Sequence, residues 1–180
     1  MIHPSASELS RPIKVKSLPA EPIVIDADAS ERAALAARFG LPGVDRLHAE
    51  IEVEARGSVI KATGTFSAAI RQACAISGED FPAEIEESVD LRFVEEGTLD
   101  PAQDEDAEIE VELEADDCDE IEYAGDAFDL GEAVAQTLGL AIDPYAEGPG
   151  ADAARKSAGI VTEGEEEGPL AAALKGLVKE

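Results

Sequence analysis

In 180 residues, 41 Asp and Glu stand against 14 Lys and Arg, a formal net charge of −27. That length suits one domain, or one domain with a tail, and 44% hydrophobic residues suffice for a core, so disorder throughout is not expected. A surplus of carboxylates repels phosphate, whose binding rests on Lys and Arg displacing counterions; DNA binding and anionic membranes are disfavoured, and a basic protein partner is favoured.

The charge is clustered. Residues 1–92 carry ten Lys/Arg and fifteen Asp/Glu, whereas residues 93–154 carry twenty-one Asp/Glu and no Lys, Arg or His. Solubility alone does not require such clustering, so an acidic face or arm is expected. No run of about 18 apolar residues is present, so no membrane span is expected. Residues 1–20 have no apolar core, so they do not read as a secretory signal, and a cytoplasmic site is expected.

In chain order, Ile13, Val15 and Leu18 alternate with Lys14 and Lys16 and predict a short strand that ends at Pro19. Ile23–Ile25 predict a second. Ser30 is a helix N-cap candidate before an Ala-rich run to Phe39, which Gly40 and Pro42 stop. The strongest signal is a hairpin. Leu47, Ala49, Ile51, Val53 and Ala55 alternate with His48, Glu50, Glu52, Glu54 and Arg56. Beyond a Gly57-Ser58 corner, Ile60, Ala62, Gly64, Phe66, Ala68 and Ile70 alternate with polar neighbours. Residues 75–82 read as a loop, and Ile85, Val89, Leu91 and Phe93 as another strand.

Residues 95–117 form an acidic loop. Within it Ile109, Val111 and Leu113 alternate with Glu108, Glu110, Glu112 and Glu114, which suits either a charged edge strand or an extended segment of repelling carboxylates. Ile121 and Tyr123 predict a last short strand. Asp129 caps a helix with Glu132 at the capping-box position and an apolar stripe of Leu130, Val134, Leu138 and Ala141, ended by Pro144. Residues 146–168, with Gly148, Gly150, Gly159, Gly164, Gly168 and an acidic run, read as a flexible linker. Residues 169–180 form a short helix, too short to persist alone in water, that docks on its own domain or on a partner.

The fold class is therefore α+β: an antiparallel sheet of about five or six strands with two or three helices, an acidic loop, and a linker before a C-terminal helix. Residues 1–145 form the single domain. Chemistry is sparse. Two cysteines, Cys74 and Cys118, and two scattered histidines, His3 and His48, fall short of a four-ligand zinc site, so no metal is expected. Carboxylates are too numerous to single out an acid/base pair, and no glycine loop carries a Lys-Ser/Thr ending, so neither cofactor nor catalytic residue is assigned.

The stretch Gly125–Gln136, containing Asp129-Leu130-Gly131-Glu132, and the following Leu138–Tyr145, ending Asp143-Pro144-Tyr145, resemble the YceD-like family, also named for accumulation of large-subunit ribosomal RNA. Gly64–Phe66 through Gln72–Cys74, Gly148–Ala151 and Gly168–Lys175 match further family segments, so the resemblance spans roughly residues 10–178. The chain departs from the pattern in three places. Ala146-Glu147 stand where relatives commonly carry Pro-Arg, Ser77 stands where some carry a second cysteine, and Leu170 stands where an aromatic is frequent.

The resemblance implies a non-enzymatic cytoplasmic ribosome biogenesis factor. It would act on a basic ribosomal protein or processing factor through the acidic face, residues 93–129. An alternative is direct contact with precursor large-subunit RNA through Lys14, Lys16, Lys61 and Arg71. A generic acidic adaptor unrelated to ribosomes is the competing class. The candidate interaction residues are Asp129, Leu130, Glu132, Asp143, Pro144, Tyr145, Glu108, Glu110, Glu112 and Glu114. For Asp129 and Pro144, cap and helix stop are the plain structural alternatives.

Overall fold

The computed structural model describes residues 7–97 and 120–160. The chain divides into two units. The first is Met1–Gln72 with Pro82–Asp143, and the second is Ala73–Phe81 with Pro144–Glu180.

The first unit is built on strands β1 (Pro12–Lys14), β2 (Ile23–Asp26), β3 (Gly43–Arg56), β4 (Val59–Ala73), β5 (Asp80–Glu95), β6 (Glu120–Tyr123) and β7 (Ala127–Asp129), with helices α1 (Ala29–Phe39) and α2 (Leu130–Ala141). Five strands form one sheet in the order β2-β3-β4-β5-β6, and β1 and β7 form a separate two-stranded ribbon. The α+β class is as the sequence predicts, with one correction. The main sheet is mixed rather than purely antiparallel, because β6 runs parallel to β5 in the register Arg92↔Glu120 to Glu95↔Tyr123. Parallel neighbours cannot be joined by a tight hairpin turn, and 24 residues separate Glu95 from Glu120 in the sequence.

The long hairpin obeys its period-two pattern. Leu47, Ala49, Ile51, Ile60, Ala62, Phe66, Ala68 and Ile70 are buried, and Gly57 turns the corner at φ 66°. Its register pairs Glu50 with Thr65 and Glu52 with Thr63, and slips once between Val44 and Arg46. Such a bulge bends the strand and increases local twist. β5 begins at Asp80, earlier than the apolar alternation from Ile85 suggests, so it takes in Phe81 and Pro82, which read as loop.

Helix α1 is capped by Asp28, not Ser30. The Asp28 carboxylate accepts from Ser30 N and Glu31 N while Glu31 accepts from Asp28 N, a complete capping box. Ser30 instead donates its hydroxyl to Asp28 Oδ1 at 2.7 Å. Gly40 closes the helix at φ 65°, a left-handed conformation that favours glycine.

Helix α2 buries Leu130, Val134 and Leu138 of the predicted stripe, and Ala141 at its end is partly buried against the same core. Each buried Leu or Val contributes about 1.5–3 kcal/mol. These residues share one core cluster with Leu35 and Ala36 of α1 and with the inward positions of β3 and β4, so both helices lie on one face of the sheet. Phe93 and Phe128 stack in the same core with ring centroids 4.2 Å apart.

In the second unit, Cys74 N donates to Glu79 O and Ala75 N to Ala146 O, which ties the 74–79 turn to the segment after Pro144. Inside the stretch whose glycines predict a linker, Ala151–Ser157 form a short helix, α3. Arg155 of α3 pairs with Asp152 and Glu147. The predicted C-terminal helix and the Glu108–Glu114 alternation lie outside the described residues. No helix among those described is long and apolar enough to cross a membrane.

Candidate functional site

Asp129 stands where β7 hands over to α2, in extended conformation, and two segments meet on its carboxylate. Oδ1 accepts from Gly131 N at 3.0 Å and Glu132 N at 3.1 Å, which caps α2. The same oxygen accepts from Arg11 N at 2.7 Å, and Oδ2 accepts the Ser10 hydroxyl at 2.6 Å. Leu130 N returns a bond to Arg11 O at 3.1 Å. The N-terminal segment is thereby sewn onto the helix start, one residue beyond the β1–β7 pairing Pro12↔Asp129. Gly131 permits the approach: a Cβ there would stand 2.4 Å from Leu9 O.

Glu132 does not complete a capping box. Its carboxylate turns outward to the guanidinium of Arg38 on α1, with bonds of 2.9 and 2.8 Å, and also accepts Ser7 Oγ at 2.7 Å and Gln136 Nε2 at 3.1 Å. Arg38 additionally holds Glu8 at 2.9 Å. The Arg38 guanidinium, with help from Ser7 and Gln136, holds the Glu132 carboxyl down at about 2. The carboxylate in turn raises Arg38. A second clamp is parallel to the first: Arg11 binds Glu31 through both guanidinium nitrogens at 2.7 and 3.1 Å, which raises the arginine and lowers the acid. Two Arg–Glu forks thus lock the N-terminal segment, α1 and α2 together around the Asp-Leu-Gly-Glu quartet.

This arrangement spends its chemistry internally. Asp129 and Glu132 accept bonds from backbone, hydroxyl and guanidinium donors, and Glu132 is an anion at neutral pH, not a proton donor. Leu130 is fully buried. Of the predicted residues, the fold gathers Asp129, Leu130 and Glu132 into a joint. Asp143 is exposed beyond the far end of α2, about 18 Å away along a 12-residue helix. Pro144 and Tyr145 belong to the second unit, where Tyr145 exposes 80% of its surface. The residues that sequence reading missed are Ser7, Ser10, Arg11, Glu31 and Arg38. The bonds of Ser7, Ser10, Arg11 and Arg38 to Asp129 and Glu132 span 94 to 125 positions, which no local pattern reports, and Glu31 joins through Arg11, 20 positions away.

A second polar feature lies in the second unit. The buried Cys74 sulfur accepts from Ser77 N at 3.3 Å and Ile76 N at 3.4 Å. The Ser77 hydroxyl, followed by these backbone N–H groups and that of Gly148, lowers the thiol to about 7.

Five further cations are paired with carboxylates. Arg46 meets Glu84, Arg56 meets Glu54, Lys61 meets Asp90, Arg71 meets Asp45 and Arg92 meets Glu120. Glu95, Glu96, Glu122 and Asp126, by contrast, are exposed on the acidic part of the chain.

Fold and joint together define a small α+β protein with an acidic surface and a polar core-edge network devoted to its own architecture. The family model for the large ribosomal RNA subunit accumulation protein YceD matches residues 62–177, well over half of the chain, and the chain belongs to that family. No curated protein and no solved structure matches. The matched span takes in the Asp-Leu-Gly-Glu quartet and Asp143-Pro144-Tyr145; the segment that clamps Asp129 lies before it.

Proposed function

We propose that this chain supports the accumulation of large-subunit ribosomal RNA without breaking bonds itself, by presenting the acidic face of residues 93–129 to a basic ribosomal protein or processing factor. The observation that carries this reading is the asymmetry of charge. Arg38, Arg46, Lys61 and Arg71 are tied up in intramolecular pairs, while residues 93–154 hold twenty-one carboxylates and no Lys, Arg or His. Such a surface steers a positive partner and substitutes for phosphate until assembly. It acts where ribosomes are built, in the cytoplasm.

Direct contact with precursor RNA is less well supported. Lys61 and Arg71, two of the four cations it would use, already hold Asp90 at 3.1 Å and Asp45 at 3.3 Å.

The test is a depletion strain with ribosomal subunits resolved on a gradient. Loss of large-subunit RNA relative to small-subunit RNA is expected; unchanged large subunits refute the reading and leave an adaptor unrelated to ribosomes. A pull-down at low salt should recover a basic protein that high salt releases, since exposed charges are screened beyond about 8 Å at physiological ionic strength.

A further inference from the structure

The main sheet ends in β2 on one side and in β6 on the other. β2 starts directly behind Pro22, and a proline beside an edge strand discourages further pairing. β6, the strand Glu120–Tyr123, contains no proline, and β5 is its one neighbour among the described residues. Tyr123 O accepts from Glu96 N at 2.9 Å, so that carbonyl points to the β5 side. Backbone groups alternate in direction along a strand. The N–H and C=O groups of Glu122, and those of Glu120 two positions before it, therefore point to the outer edge.

The side chains of β6 are sorted by face. Ile121 and Tyr123 pack against the core but are only half-buried. Glu120 and Glu122 lie on the opposite face. Glu120 leans on Arg92 at 3.8 Å, and Glu122 is exposed. The edge thus offers a row of backbone donors and acceptors, an apolar strip on its core side and carboxylates on the other. An extended chain meets the backbone row. Apolar residues at every second position meet the strip, and Lys or Arg between them meet the carboxylates. The same carboxylates disfavour a second copy of β6, because like charges opposite one another on paired strands repel.

We infer that the outer edge of β6 is a strand-addition site for a segment of a protein partner in which Lys or Arg alternates with apolar residues. The added segment lies about 4.8 Å from β6. In the antiparallel sense, a residue opposite Glu122 exchanges both backbone bonds with it at a Cα separation of about 5.5 Å, and its basic side chain falls on the Glu122 face. The residues on either side fall on the other face, beside Ile121 and Tyr123, and extend the core. The inference rests on the proposal that a basic partner contacts residues 93–129, and adds which strand receives it and which pattern that strand reads.

The probe is the peptide Ser-Lys-Val-Lys-Val-Lys-Ser, titrated into the full chain at low salt and followed by amide hydrogen exchange. Exchange is expected to slow at Glu120 and Glu122 and to stay unchanged along β2. Absence of protection at Glu122, or protection along β2 instead, overturns the site. A copy of the peptide methylated on the lysine backbone nitrogens keeps every side chain and charge but cannot donate to the edge, and it should bind about tenfold more weakly or worse. Equal affinity for the two peptides overturns strand addition; if salt then releases both, the acidic-face reading stands without it. Glu122→Lys should weaken the unmethylated peptide about tenfold, whereas Asp26→Lys, the same charge change on β2, should leave it within about twofold of the parent. Equal loss in both variants overturns the site. Normal large subunits in the depletion strain, with protection at Glu120 and Glu122 retained, leave the site standing and remove only its ribosomal assignment.

Discussion

Replacing Glu132 by Gln removes one arm of the fork on Arg38 while leaving a side chain of the same shape. In the native protein the Arg38 guanidinium holds the Glu132 carboxyl at about 2, against an ordinary 4.5. That difference is linked to about 3 kcal/mol of native-state stabilisation. The Arg38 and Glu132 side chains remain 29% and 27% exposed, and solvent screening reduces the figure to about 1.5–2 kcal/mol. Arg38 retains Glu8 in the variant, which limits the damage further.

The sign follows from the direction of the shift. A depressed carboxyl stabilises fully above the unfolded-state value, near pH 4.5, and its contribution disappears as pH falls through the folded value near 2. Urea unfolding of the parent and Glu132→Gln should therefore differ by about 1 M in midpoint at pH 7, given about 1.5–2 kcal/mol per molar urea, and converge towards pH 2. Acidification also relieves the repulsion of a −27 chain, with the opposite sign, but it does so in both proteins, so the difference between them isolates Glu132. A midpoint difference that stays constant from pH 7 to pH 2 refutes the fork as its origin.

Gly131→Ala should cost about 1–3 kcal/mol, because its Cβ would stand 2.4 Å from Leu9 O; thermal unfolding reads the loss, and faster exchange of the Leu130 amide locates it. Phe128→Ala empties the site beside Phe93 and should lower stability by about 3–5 kcal/mol in chemical denaturation, with the near-ultraviolet signal of Tyr123 altered because its ring lies 6.2 Å away. Asp28→Ala breaks the capping box of α1 and should cost about 1 kcal/mol in the same assay, whereas Ser30→Ala, inside the helix, should cost less. In a Cys118→Ser background, thiolate absorbance should titrate with a midpoint near 7, and Ser77→Ala should move it upward; an ordinary thiol midpoint in the parent contradicts the hydroxyl as donor.

Local patterns determined much of this fold. Period-two alternation placed β3 and β4, the four-residue stripe of Leu130, Val134 and Leu138 placed α2, and Asp129 was legible as its cap because helix starts demand an acceptor for orphan N–H groups. The family resemblance was likewise legible in Asp129–Glu132 and Asp143–Tyr145. Where two acceptors competed within a few residues, local reading failed: Asp28 displaced Ser30 because its carboxylate reaches two backbone N–H groups and Glu31 reciprocates.

The long-range facts belong to tertiary structure alone. That β6 pairs with β5, and in parallel, is decided by which sheet edge is vacant. The partnership of Arg38 with Glu132 depends on α1 and α2 sharing one face of that sheet. Sequence specifies which side chains can bond; only the folded chain, bringing positions far apart in sequence within 3 Å, decides which ones do.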